Sequence, residues 1–199
     1  MRCKGLCLAA LLFGLVLGCT KRSADDIPVL GQLPAFSLVD QDAQAFTRDT
    51  MEGDIWVSAF VFTHCRSTCP RLTAHMEGLQ TRVADVSSAN FVSVSVDPRN
   101  DTPEVIKAYM TKKGLDERNW RFVTGDEESI RRVVVEGFKV PIGDEDSRAA
   151  GADDIMHSNS FVLVDRKAQV RGYYRANNDG IADLERDLRA LASAAPSER

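Results

Sequence analysis

Apolar residues along this chain alternate between two rhythms. Ile55 to Phe62 (IWVSAFVF) is a continuous apolar run with the length and β-rich composition of a buried strand. Phe91 to Val96 (FVSVSV) is a second such run, and Trp120 to Val123 a shorter third. Between them the period changes. Leu72, His75, Met76, Leu79 and Val83 fall at helical spacing and predict a helix from about Pro70 to Val86 with one face on a sheet. Thr102 can cap a second helix through Val105, Ile106, Tyr109 and Met110 to Lys113, with Gly114 as its stop. Asp126 starts a third, carrying Ile130, Val133, Val134 and Phe138. Pro34 to Thr47 suggests a short hairpin with Phe36, Leu38 and Phe46 as its apolar positions. Phe161 to Val164 and Val170 to Tyr174 alternate about a turn at Asp165-Arg166-Lys167, the pattern of a β-hairpin. Leu184, Leu188 and Leu191 mark a closing helix, and Gly143 to Asp154 is an acidic loop without periodicity.

The first residues have the pattern of a processing signal. Arg2 and Lys4 form a basic start, Leu6 to Leu17 an apolar core too short to span a bilayer, and Val16-Leu17-Gly18-Cys19 a cleavage region. A small residue followed by Cys resembles a lipobox, which implies that Cys19 becomes the diacylated first residue of a bacterial lipoprotein. The expected organisation is a signal over 1–18, a lipidated flexible tether over 19–33, one folded domain over 34–194 and a polar tail over 195–199. The domain would then be extracytoplasmic and membrane-anchored, on the periplasmic side in a Gram-negative bacterium. Cleavage leaves 181 of the 199 residues, enough for one domain with a full core. Loss of Arg2 and Lys4 takes the formal charge from −4 to −6. That balance argues against nucleic acid as a partner and fits soluble or membrane-attached proteins.

Of five cysteines, Cys3 and Cys7 leave with the signal and Cys19 is committed to lipid, so Cys65 and Cys69 remain. They lie in FTHCRSTCP, at the junction of the first long strand and the helix that follows. Pro70 suits a first helical position, which places Cys69 near the N-cap, where the helix dipole favours a thiolate. Cys65 lies one turn back, near enough to share a bond or a metal with it. The chemistry is therefore thiol redox, soft-metal binding, or both. The element order β-α-β-α-β-α-β-β-α, with cysteines after an early core strand, is that of an α/β, thioredoxin-like fold with an N-terminal β-hairpin and an inserted helix.

FTHCRSTCP, VSVDPRNDTPEVIKAYM and MHSNSFVLVDRKAQVRGYY together resemble the Sco/SenC family of copper-handling proteins for cytochrome c oxidase assembly, over roughly Phe36 to Leu191. By that resemblance Cys65 and Cys69 match the family's thiolate ligands and His157 its imidazole ligand. The sequence departs from the commoner pattern at His64, where an aromatic is more usual, so a second imidazole stands beside the site. Asp97 and Asp101 have the family's spacing; a carboxylate there could tune the site or contact a partner, and a turn or capping role serves equally well. His75 has core neighbours and reads as a packed or half-exposed histidine rather than a ligand.

Two sulfurs and one nitrogen suit copper(I), and a further donor would suit copper(II); zinc accepts similar atoms, so the preference for copper comes mainly from the resemblance. One function it implies is a metallochaperone passing copper to the copper-A subunit of the oxidase, with other copper chaperones or a thiol reductant as further partners. The alternative is a thiol–disulfide oxidoreductase that keeps the recipient's cysteines reduced. A peroxidatic thiol is a third option.

Overall fold

A computed structural model describes residues 22–142 and 159–194. The predicted signal, Cys19, the acidic loop with His157, and the tail lie outside the described residues.

Among the described residues eight strands form one sheet: β1 (Gly31–Gln32), β2 (Ser37–Asp40), β3 (Ala45–Thr47), β4 (Ile55–Val61), β5 (Ala89–Ser95), β6 (Trp120–Thr124), β7 (Ser160–Val164) and β8 (Gln169–Arg175). Their order across the sheet is β1-β8-β7-β4-β5-β6-β2-β3. β4 and β5 pair in parallel from Ile55↔Ala89 to Val61↔Ser95, and β5 and β6 are also parallel. β7 runs antiparallel to β4, so β7 begins at the end of the sheet where β4 finishes.

Every residue of β4 is buried, as a continuous apolar run requires when both faces of a strand are covered. The N-terminal hairpin forms as its pattern predicts, with Leu38 opposite Phe46, and β2 adds to the outer side of β6. A one-turn helix, α1 (Arg48–Met51), leads from it into β4. The Met51 carbonyl at its end accepts the buried Trp56 indole N–H at 3.1 Å.

Four further helices match the predicted set. α2 (Cys69–Arg82) packs on β4 and against α5 (Asn178–Ser193), with Arg82 and Glu185 paired at 2.8 Å. α3 (Pro103–Lys113) is capped by Thr102, whose hydroxyl accepts Val105 N–H, and stops at Gly114 in the left-handed region (φ 67°), where a side chain would be strained. α4 (Glu127–Arg131), capped by Asp126, widens into a π-helical turn over Arg132–Gly137.

The segment expected to be a tether differs. Residues 22–33 are packed on the domain. Ile27 and Leu33 are buried, and β1 pairs with β8 through Gly31↔Val170. The Arg171 guanidinium donates to the carbonyls of Ala24 (2.9 Å), Ile27 (2.5 Å) and Pro28 (3.1 Å), and pairs with Asp165 at 2.7 Å. Arg22 lies 3.3 Å from the buried Asp187 carboxylate. Ile27, Val29, Leu30 and Leu33, set among Pro, Gly and polar neighbours, follow neither a helical nor a strand period, while the partners of this segment lie more than 130 positions downstream.

Truncating Ile27 to Ala is accordingly expected to destabilise the domain by about 2–4 kcal/mol. Urea unfolding measures it; a free tether would show no change.

Candidate metal and redox centre

The site forms where β4 leaves the sheet. The Val61 carbonyl accepts Val96 N–H at 3.0 Å, carrying the pairing of β4 one residue past the end of β5. Beyond it the chain turns, with Cys65 N–H on the Phe62 carbonyl at 3.4 Å. α2 then begins, its first turn closed by Arg71 and Leu72 N–H groups on the Thr68 carbonyl, both at 3.1 Å. Thr68 is the N-cap without a side-chain capping bond, and Cys69 is the first helical residue.

Both cysteines are free thiols and both are buried: Cys65 is 8% exposed and Cys69 1%. Cys69 N–H donates to Cys65 Sγ at 3.3 Å, and Ser67 Oγ lies 3.8 Å from the same sulfur. The two thiols are also hydrogen bonded to one another.

Their acidities diverge. Burial raises the pKa of Cys65, but the bond from the Cys69 thiol and the backbone N–H groups of Cys69, Ser67 and Thr68 outweigh it, leaving Cys65 below the ordinary thiol value. Cys69 is pushed far above that value, first by burial, then by donating its proton to Cys65, with the Asp101 charge adding to both. This reverses the expectation that Cys69 is the activated thiolate. The N–H groups of residues 67–69 converge on Cys65 Sγ, just ahead of the helix, rather than on the cysteine inside it.

Alkylation should therefore be sequential. As pH rises, Cys65 is expected to react with iodoacetamide at a midpoint below the ordinary thiol value, and Cys69 only far above it. Peptide mass mapping of a pH series reads both midpoints; a Cys69 that reacts first contradicts the assignment.

The two aspartates separate into different roles. Asp101 is fully buried, and its carboxylate accepts the Thr63 N–H at 3.2 Å, the Thr63 hydroxyl at 2.6 Å and the Ser95 hydroxyl at 2.7 Å. It thereby pins the end of β4, two residues before Cys65, to the end of β5. A carboxylate so enclosed and so bonded is neither a partner contact nor a helix cap. Burial holds Asp101 above the usual carboxylate range despite these bonds.

Asp97 closes the turn, its carbonyl accepting Asn100 and Asp101 N–H at 3.1 and 3.0 Å. Its carboxylate takes Asn100 Nδ2 at 2.9 Å and stands 3.3 Å from His64 Nε2. His64 is exposed and edge-on to Phe62, its ring centroid 4.7 Å away. His75 is half-buried on α2.

Among the described residues no group of three or more His, Cys, Asp or Glu side chains is arranged to hold a metal ion. The described part of the centre is thus the dithiol with its N–H donors, and the predicted third ligand, His157, lies outside the described residues. Thr63, Ser67 and Ser95 were not singled out from the sequence. For Thr63 and Ser95 the one available signal is a small polar residue at the end of an apolar run, as in FVF-T and FVSV-S; Ser67, in CRSTCP, has none.

Residues 30–193 match the SCO1/SenC family. A SCO1 protein homologue of Bacillus subtilis (strain 168) is 30% identical over 96% of this chain and 97% of its own. A SCO1/SenC family lipoprotein from Bacillus anthracis str. Ames superposes with a TM-score of 0.73 at 32% identity, covering 83% of this chain and 98% of that one. BsSco, described as a member of the Sco family of cytochrome c oxidase assembly proteins with a disulfide switch, gives 0.73 at 27% identity, covering 85% and 98%. Bradyrhizobium japonicum ScoI, solved with copper bound, gives 0.63 at 25%, covering 78% and 98%. The fold is that of these Sco structures, thioredoxin-like as the element order implies. A family match across nearly the whole described domain, on a fold that ends β4 in a buried dithiol, makes this chain a member of the SCO1/SenC family.

Proposed function

We propose that this protein is a copper carrier of cytochrome c oxidase assembly, which binds one copper ion through Cys65, Cys69 and His157 and passes it to the copper-A centre of an oxidase subunit. The observation that carries this reading is the buried thiol pair with Cys69 N–H on Cys65 Sγ at 3.3 Å. Backbone N–H groups stabilise a thiolate there in advance, and two thiolates are the donors that a soft copper(I) ion prefers. Copper in the Bradyrhizobium homologue and the Sco family's role in oxidase assembly support the choice of cargo and recipient. Cys19 would carry the lipid anchor, as in a lipoprotein relative, on the extracytoplasmic side. No described helix is long and apolar enough to cross a membrane.

Transfer would proceed by ligand exchange. A recipient thiolate enters as one of this protein's sulfurs leaves, so the ion is never bare. Titrating the reduced protein with copper(I) and copper(II) tests the reading. One ion per chain, with sulfur-to-copper charge-transfer bands that vanish when Cys65 and Cys69 are both Ser, is expected; binding unaffected by those changes overturns it.

The divergent acidities favour a second reading, thiol–disulfide exchange with the recipient. Cys65 thiolate attacks a recipient disulfide, forming a mixed disulfide and releasing one recipient thiolate. Cys69 gives its proton to that thiolate and attacks Cys65, releasing the second recipient thiolate. The recipient gains two electrons, and this protein is left with a Cys65–Cys69 disulfide. A low-pKa attacking sulfur and a buried, protonated resolving sulfur are the arrangement this sequence needs.

A further inference from the structure

Four large apolar side chains are exposed among the described residues, and three of them lie along one margin of the sheet. Val29 (55% exposed) and Leu30 (49%) lead into the edge strand β1, and Tyr173 (43%) stands on its neighbour β8. The backbone beneath them is fixed. Leu30 N–H donates to the Val170 carbonyl at 2.8 Å, Arg171 holds three carbonyls of residues 24–28, and Arg22 is paired with Asp187. The Tyr173 hydroxyl is satisfied by the Phe138 carbonyl at 2.9 Å, which leaves its ring at the surface.

This clamp shortens the anchor. A tether of residues 19–33 would let the domain swing tens of Å from the membrane. With Arg22 already seated on the domain, the three residue steps from Cys19 through Thr20 and Lys21 to Arg22 span at most about 10 Å. A diacyl chain on Cys19 therefore brings the bilayer up against the margin that bears Val29 and Leu30.

We propose that this margin docks on the lipid bilayer, with Val29 and Leu30 entering the boundary between headgroups and acyl chains and the Tyr173 ring at the interface. The proposal rests on the lipid anchor at Cys19. The occupant is apolar lipid rather than an anionic surface, because the mature chain carries a formal charge of −6. β4 lies three strands in from β1, roughly 14 Å at the usual strand spacing. Docking thus holds the dithiol close above the membrane plane, at one height and orientation, which suits exchange with a membrane-embedded recipient.

The test uses full-length, lipidated protein in phosphatidylcholine vesicles whose acyl chains carry bromine, a contact quencher of tryptophan. Leu30→Trp is compared with Val105→Trp, the fourth exposed apolar position, on α3; the natural Trp56 and Trp120 are buried and give the background. The Leu30→Trp emission is expected to be quenched about twofold or more beyond that of Val105→Trp, as a side chain about 5–10 Å into the interface would be. Equal quenching at both positions, in protein that floats with the vesicles, overturns docking and leaves the anchor standing. Protein that does not float overturns the anchor and the docking together. A lipid-free chain that sediments as a dimer, and as a monomer once Leu30 is Ser, would assign the margin to a second copy and overturn the proposal as well.

Discussion

His157→Ala is expected to lower the copper affinity of the reduced protein by about a hundredfold or more, while the reduction potential of the Cys65–Cys69 pair shifts by less than about 30 mV. Removing the imidazole leaves copper(I) on two sulfurs alone. Copper(II), which relies more on nitrogen donors, should lose more. The redox chemistry of the dithiol depends on the N–H groups of residues 67–69 and on burial. Competition with a copper(I) chelator measures the first quantity, and equilibration with glutathione the second. This variant separates the two functional readings, because a carrier needs the third ligand and a dithiol reductase does not. Oxidase assembly at full rate in cells carrying His157→Ala would remove copper delivery as the essential task. Replacing both cysteines cannot discriminate, since both readings require them.

Asp101→Ala is expected to cost about 2–4 kcal/mol of stability, a large effect for one carboxylate. The side chain is fully buried and receives three donors, so its loss strands the Thr63 N–H, the Thr63 hydroxyl and the Ser95 hydroxyl in an apolar surround. Asp101→Asn keeps one acceptor oxygen and should cost less. The pH dependence of the difference has a definite sign. Burial raises the folded pKa of Asp101 above its unfolded value, so the protonated form is the one the fold favours. The wild type should therefore gain stability relative to Asp101→Asn as pH falls through the raised folded value, with the gain complete below about 3.9, the unfolded value. Urea unfolding at several pH values reads both effects, and a difference independent of pH would show that Asp101 does not titrate as described. Because Asp101 fixes the strand end two residues before Cys65, Asp101→Ala should also blunt the order of alkylation of the two thiols.

Much of the architecture is visible in local pattern. The run from Ile55 to Phe62 announces a strand covered on both faces, and β4 is buried throughout. Thr102 and Gly114 bracket α3 because a capping hydroxyl and a left-handed stop are properties of single residues. The spacing of Cys65 and Cys69 brings the sulfurs together because only three residues separate them across the bend that opens α2.

Other features have no local cause. Which sulfur is activated depends on where the N–H groups of residues 67–69 point, and they point back at Cys65 rather than along the helix at Cys69. Asp101 reads equally well as a turn residue; only the meeting of the β4 and β5 ends makes it a buried pin. Ile27 and Leu33 look like parts of a tether until Arg171, far along the chain, gathers the carbonyls around them. Strands, helices and the dithiol follow from sequence because they depend on neighbours within a few residues. The thiol asymmetry, the carboxylate pin and the clamped N-terminal margin were decided by tertiary structure, because each depends on groups that folding alone brings within hydrogen-bonding distance.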